Sequence, residues 1–170
     1  SIKTKHVKIP IDLVKGVVKD ESKKGKEVII GIDLGTTNSL VAYMDDGKPV
    51  AVKGVDGKHT LVPSILHFGS HQAVSVGEKA KEALVEDPQN TIFSVKRLMG
   101  KSFTDVEDYK NFFSYQIIDN DVEESLVKVR VKDKFYTPVE LSAFILAELK
   151  ERIENVLEIP VQKAVITVPA

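Results

Sequence analysis

Residues 27–46, EVIIGIDLGTTNSLVAYMDD, read as a strand, a glycine turn and a returning strand. Val28-Ile29-Ile30-Gly31-Ile32 is almost continuously apolar, the pattern of a strand buried on both faces. The run ends on a carboxylate, Asp33, and the turn Leu34-Gly35-Thr36-Thr37-Asn38 follows. Residues 39–44 lead away as a second strand, and Asp46-Gly47 supplies the hairpin turn into a third near residues 49–53.

This arrangement suits an anion. A glycine lets backbone N–H groups approach a phosphate closely, and the Thr36 and Thr37 hydroxyls add donors beside them. Asp33, at the strand end, can hold a magnesium ion through water, because that ion keeps much of its hydration. The residues alone also allow a plainer role, in which Gly35 only tightens a turn and the threonines are β-branched strand residues.

Composition narrows the class. The chain has 170 residues, 42% hydrophobic and 29% charged, with net charge −1, an ordinary profile for a globular domain. At this length about 70% of the unfolded surface can be buried. No apolar run reaches the roughly 20 residues of a membrane helix. Nor is there a charged-then-apolar leader with a small-residue cleavage site, so no membrane partner is expected. Zero cysteines excludes disulfides and thiolate metal sites and fits a reducing, cytoplasmic compartment. His6, His59, His67 and His71 bring no carboxylates at ligand spacing and read as surface or satisfied histidines.

Residues 1–26 form a basic N-terminal extension, with eight lysines against Asp12, Asp20 and Glu21, hence +5 while the remainder carries −6. A flexible leader is the simpler reading. No aromatic is interleaved for stacking on bases, so no nucleic-acid partner is expected. From residue 51 to 136 short strands and helices alternate. A strand over 60–68 is interrupted by Pro63, and another covers 73–76. Helices are expected over 78–85, 90–99 and 105–113, the last with Val106, Tyr109, Phe112 and Phe113 as a core stripe. Strands follow over 115–118, 126–131 and 134–136.

Residues 137–157 make the one long helix. Thr137 is the N-cap, Pro138 the first helical residue and Glu140 completes a capping box. Leu141, Ile145, Leu149, Ile153 and Val156 give an apolar face, and Glu148 with Arg152 an outer i,i+4 pair. A last buried strand spans 164–168. Strand, helix and strand then form a crossover expected to be right-handed.

The 31–39 stretch, GIDLGTTNS, resembles the first phosphate loop of the seventy-kilodalton heat-shock chaperones of DnaK type. Leu61-Val62-Pro63-Ser64, Ser94-Val95-Lys96-Arg97-Leu98-Met99-Gly100 and Ala164-Val165-Ile166-Thr167-Val168-Pro169-Ala170 match the same family in the same order. The runs LVPSILHF and TIFSVKRLMG are similar to the branch for iron–sulfur cluster assembly, HscA type.

The resemblance implies an α/β actin-like ATPase fold (ribonuclease H-like), of which this chain is lobe I only. That lobe has a mixed sheet with a crossover helix and an inserted α+β subdomain. Residues 27–58 and 137–170 would be subdomain IA and 59–136 subdomain IB. Asp33, Gly35, Thr36, Thr37 and Asn38 then bind ATP or ADP with magnesium. Lys96 stands at the catalytic lysine with Arg97 beside it, and Pro169 at the proline that relays nucleotide state. From the residues alone Lys96-Arg97 is equally a solvated pair and Pro169 a strand terminator.

The parent protein would hydrolyse ATP to gate binding of extended client peptide, with a J-domain co-chaperone and an iron–sulfur scaffold protein as partners. The fragment by itself is expected to be inactive. Two alternatives are a sugar or acetate kinase of the same superfamily, and a non-catalytic interaction module that self-associates through an open sheet edge. A Walker-type enzyme is excluded, since no GxxxxGK[ST] occurs.

Overall fold

The computed structural model describes residues 28–54, 56–119 and 126–167; the basic extension 1–26 and Pro169 lie outside the described residues. In chain order the elements begin β1 (Ile29–Leu34), β2 (Asn38–Asp45), β3 (Lys48–Ala51), β4 (Val62–Pro63), β5 (Ile65–Phe68) and β6 (Val74–Val76). They continue as α1 (Glu78–Glu86), β7 (Thr91–Phe93), α2 (Phe103–Val106), β8 (Gln116–Ile118), β9 (Lys128–Val131), β10 (Lys134–Tyr136), α3 (Pro138–Leu157) and β11 (Lys163–Thr167).

The main sheet runs β11-β1-β2-β3, with β4 also on β2. It is mixed: β11 lies parallel to β1, from Ile29↔Lys163 to Asp33↔Thr167, and β2 is antiparallel to β1. The β2–β3 hairpin closes through Asp46 (φ 46°) and Gly47 (φ 77°), both left-handed, so the turn follows the twist of the strands. Two three-stranded antiparallel sheets, β6-β5-β7 and β10-β9-β8, complete the described fold.

Helix α3 ties these layers together. Thr137 Oγ1 accepts from the Glu140 N–H at 3.1 Å and Glu140 Oε2 accepts from the Thr137 N–H at 2.7 Å, closing the capping box. Leu141, Ile145, Leu149 and Ile153, each four residues on, are fully buried in one core with Ile30, Ile32, Val41, Leu66 and Leu98. Burying each such side chain contributes roughly 1.5–3 kcal/mol. Arg152 Nε donates to Glu148 Oε1 at 2.8 Å, as the spacing requires, but the pair expected on the outside is half-buried, with the guanidinium beside Gly54 and Gly77. Val156, expected on the apolar face, is exposed, because the i,i+4 stripe continues from Ile153 to Leu157, which packs against the core instead.

Several local expectations change. β1 is buried on one face only: Ile30, Ile32 and Leu34 point into the core, while Ile29 and Asp33 are exposed. The described layers pack on that single face. The segment 90–99 is not a helix. Thr91-Ile92-Phe93 pairs with β5 as strand β7, Ser94 turns left-handed (φ 55°), and only Val95–Leu98 coils, as a 3₁₀ turn. Long-range pairing of a β-branched run wins there over local spacing.

The segment 105–113 is likewise broken into α2 and a 3₁₀ turn at Lys110–Phe112. Val106 and Phe113 remain core, but Phe112 is 74% exposed. The strand expected over 60–68 divides at Ser64, with β4 joining the main sheet and β5 a different one. Finally, α3 does not cross between strands of one sheet. The strand before it, β10, belongs to the β10-β9-β8 sheet, and β11 finds its partner in β1. β11 is half-buried rather than buried and forms the outer strand of the described main sheet.

Candidate functional site

The parallel strands β1 and β11 end side by side, and the glycine turn leaves from that end. Asp33 and Thr167 are register partners, and the Thr167 hydroxyl donates to Asp33 Oδ1 at 2.8 Å across the strands. One carboxylate oxygen of this exposed residue is thereby oriented. The carboxyl ends of sheet strands are where α/β folds characteristically take ligands.

The turn from Gly35 to Asn38 is tight. A Cβ built on Gly35 would lie 2.0 Å from the Asn38 carbonyl oxygen, so only glycine fits. Gly35 does not adopt a left-handed φ; the requirement is one of space. Ser64 holds the turn from behind. Its hydroxyl donates to the Gly35 carbonyl at 2.9 Å, and its N–H donates to the Thr37 carbonyl at 2.8 Å. Ser39 Oγ lies 2.8 Å from Ser64 Oγ, and both serines are buried. Thr37 and Asn38 are exposed, and Gly35 and Thr36 half-exposed, on the open side.

Lys96 reaches the turn from 62 residues away: its ammonium donates to the Leu34 carbonyl at 2.5 Å. The 3₁₀ turn at Val95–Leu98 explains why. Val95 and Leu98, three residues apart and eclipsed on such a turn, are both buried, which turns Lys96 and Arg97 to the other side. An ammonium has three donors, so the bond to Leu34 leaves two beside Asp33 and Gly35. Arg97 sits next to it but stays exposed. Its backbone carbonyl accepts from the Tyr109 hydroxyl at 3.4 Å.

Asp33, Gly35, Thr36, Thr37, Asn38 and Lys96 therefore surround one turn, Arg97 lies at its margin, and Pro169 is outside the described residues. The sequence reading gave no role to Ser39, Ser64 or Thr167. The only signal for Ser64 was its place after Pro63 in the LVPS run. Two surface clefts of about 650 Å³ each lie elsewhere, one near Arg130 and Lys132 and one near Leu61 and Arg152, and neither includes the turn. The turn is an open shelf rather than a closed cavity.

The donor set fits a phosphate with a magnesium ion. A tight glycine turn with two threonines, the Lys96 ammonium and the exposed Asp33 carboxylate are gathered at one end of β1. Among the described residues no three His, Cys, Asp or Glu side chains gather as a direct metal cage. A cation here would accordingly share its shell with water and phosphate oxygens.

Comparison with known proteins gives the lineage. Residues 29–170 match the family model described as Hsp70 protein. Chaperone protein HscA homologs of Acinetobacter baumannii strains AYE, ACICU and AB0057 are each 46% identical over 143 residues, 84% of this chain. The same alignment covers 22% of each homolog, so the chain spans about a fifth of the length of the curated relatives it matches. The sugar-kinase alternative has no support in these matches. The chain belongs to the Hsp70 family, as an N-terminal part of a DnaK-type nucleotide-binding domain, and over this stretch it is similar to proteins named HscA homolog.

Proposed function

We propose that the turn at residues 33–38, with Lys96, is the phosphate half of an ATP-hydrolysing site in a chaperone whose complete chain is several times longer. The observation that carries this reading is the Lys96 ammonium on the Leu34 carbonyl, beside the Gly35 turn and the exposed carboxylate of Asp33.

The chain's own residues then act as follows. Backbone N–H groups and the Thr36 and Thr37 hydroxyls bind and orient the terminal phosphates, with Asn38 beside them. Asp33 would hold a magnesium ion through water, and such an ion would supply charge neutralisation at the phosphates. Lys96 directs its two remaining N–H donors at the transferring phosphoryl group and the attacking water, where negative charge grows in the transition state. Arg97 adds a second positive charge at the margin.

We assign residues 27–58 and 137–170 to subdomain IA and 59–136 to subdomain IB, with Pro169 as the outlet that carries nucleotide state to a peptide-binding domain. Extended client peptide, a J-domain co-chaperone and an iron–sulfur scaffold protein are the partners this assignment entails. The family membership and the identity to proteins named HscA homolog support it. Zero cysteines supports cytoplasmic action, and among the described residues no helix is long and apolar enough to cross a membrane.

Lys96→Ala in the complete protein tests the central claim. Calorimetry should show magnesium-ADP still bound, while ATP turnover falls about 100-fold or more, as when one transition-state donor is lost. Turnover within a few-fold of wild type would remove Lys96 from the mechanism.

A further inference from the structure

Ser39 and Ser64 are two of the few buried polar side chains in the described core, 1% and 2% exposed, and they touch each other. Their protons can be placed. A serine hydroxyl has one proton, and the Gly35 carbonyl can only accept, so the Ser64 proton points at Gly35. The 2.8 Å contact between the hydroxyls is then filled by the Ser39 proton on Ser64 Oγ. The result is a one-way chain, Ser39 to Ser64 to the Gly35 carbonyl, in which each bond polarises the next.

The consequence lies in the peptide planes. No peptide bond among the described residues is cis. In a trans peptide the C=O and the following N–H point in opposite directions. With the Gly35 carbonyl drawn back onto Ser64, the Thr36 N–H must point forward, to the open side of the turn. With the Thr37 carbonyl drawn onto the Ser64 N–H, the Asn38 N–H is turned away from Ser64 in the same manner. One residue thus sets two peptide planes from behind the turn.

We propose that Ser64, supported by Ser39, is the positioning residue of the phosphate loop: it aims the Thr36 and Asn38 N–H groups at the nucleotide without touching it. This rests on the reading of the turn as a phosphate site and adds the device that presets it. Ser64 is also the residue between β4, in the main sheet, and β5, in the β6-β5-β7 sheet. A shift of one sheet against the other therefore acts directly on the loop's donors.

The test uses the complete protein carrying Ser64→Ala, Ser39→Ala and, as a buried-hydroxyl control away from the turn, Thr91→Val. Magnesium-ADP is the probe, read by calorimetry and by the backbone amide resonances of Thr36 and Asn38. Ser64→Ala removes the hydroxyl on Gly35 but keeps the backbone N–H on Thr37, so it should weaken binding about 10-fold or more and move the Thr36 amide resonance in the nucleotide-free protein, with Asn38 moving less. Ser39→Ala, which leaves the Ser64 bond to Gly35 in place, should weaken binding less. Thr91→Val should leave affinity unchanged, which separates aiming from general loss of stability.

Unchanged affinity and an unchanged Thr36 amide in Ser64→Ala would overturn the proposal while leaving the phosphate reading intact. A larger effect from Ser39→Ala than from Ser64→Ala would overturn the proton order. If the wild type binds the nucleotide with no response at Thr36, the phosphate reading of the turn falls, and the proposal with it. Should Ser64→Ala fail to fold, the Ser39→Ala amide shifts decide: movement at Thr36 supports the chain, and none refutes it.

Discussion

Replacing Gly35 by alanine is the sharpest perturbation of this molecule. The added Cβ would sit 2.0 Å from the Asn38 carbonyl oxygen, whereas real Cβ atoms essentially never come closer than 3.0 Å to such an atom. The turn must therefore open by at least about 1 Å, and its surroundings resist. Asn38 is held in register with Pro63, Ser39 with Leu34 and Val62, and the Gly35 carbonyl with Ser64. Giving way means losing one or two of these hydrogen bonds, about 1 kcal/mol each, and leaving a buried Ser64 hydroxyl short of a partner, a further 1–3 kcal/mol.

We expect a local destabilisation of about 2–5 kcal/mol by this reckoning. Magnesium-ADP affinity should fall about 10- to 100-fold, the equivalent of one hydrogen bond to a charged phosphate, about 1.5–3 kcal/mol. Calorimetry on the complete protein measures the affinity, and amide exchange across residues 33–40 measures the loosening. Gly47→Ala is the matched comparison. It meets nothing within 4 Å but imposes a φ of +77° on a side chain, so it should weaken the β2–β3 hairpin and leave affinity alone. Gly35→Ala binding within three-fold of wild type would refute the tight-turn reasoning.

Two further outcomes concern the frame around the site. Thr137→Ala removes the capping box of α3 and should lower stability by about 1 kcal/mol, read from a denaturant midpoint with unchanged slope. Asp87 accepts a hydrogen bond from His67 Nε2 at 3.0 Å and another from Asn90 at 2.8 Å, and these hold its carboxyl below the usual range against a smaller opposing effect of burial. A depressed folded-state value stabilises above the unfolded value near ~3.9 and is lost as pH falls through the lower folded value. The difference in melting temperature between wild type and Asp87→Asn should be constant above about pH 5 and close as the pH drops below about 4.

What could be read from the residues was what they decide locally. The Thr137-Pro138-Glu140 cap, the i,i+4 run of α3 and the Asp46-Gly47 turn each carry their own instructions, and each stands where expected. Thr91-Ile92-Phe93 does not. Its partners Ile65, Leu66 and His67 lie more than 20 residues back, and nothing nearby announces them. The site divides the same way. A glycine turn after a strand ending in aspartate is visible in nine consecutive letters, and the family resemblance made Lys96 a candidate. The Ser39–Ser64 pair was invisible, because serine is common and only the meeting of β2 with β4 buries these two together.

The parallel pairing of β1 with β11 also sets the molecule's timing. Asp33 and its partner Thr167 are separated by 134 positions. At a synthesis rate of 5–20 residues per second, the first strand waits roughly 7–27 s for its neighbour to be made. Meanwhile β2 and β3 can fold back on β1 at once, but one edge of β1 stays open, and open edges invite pairing with other chains. The nascent chain thus passes through an interval in which an unpaired strand edge of its own is open to other chains.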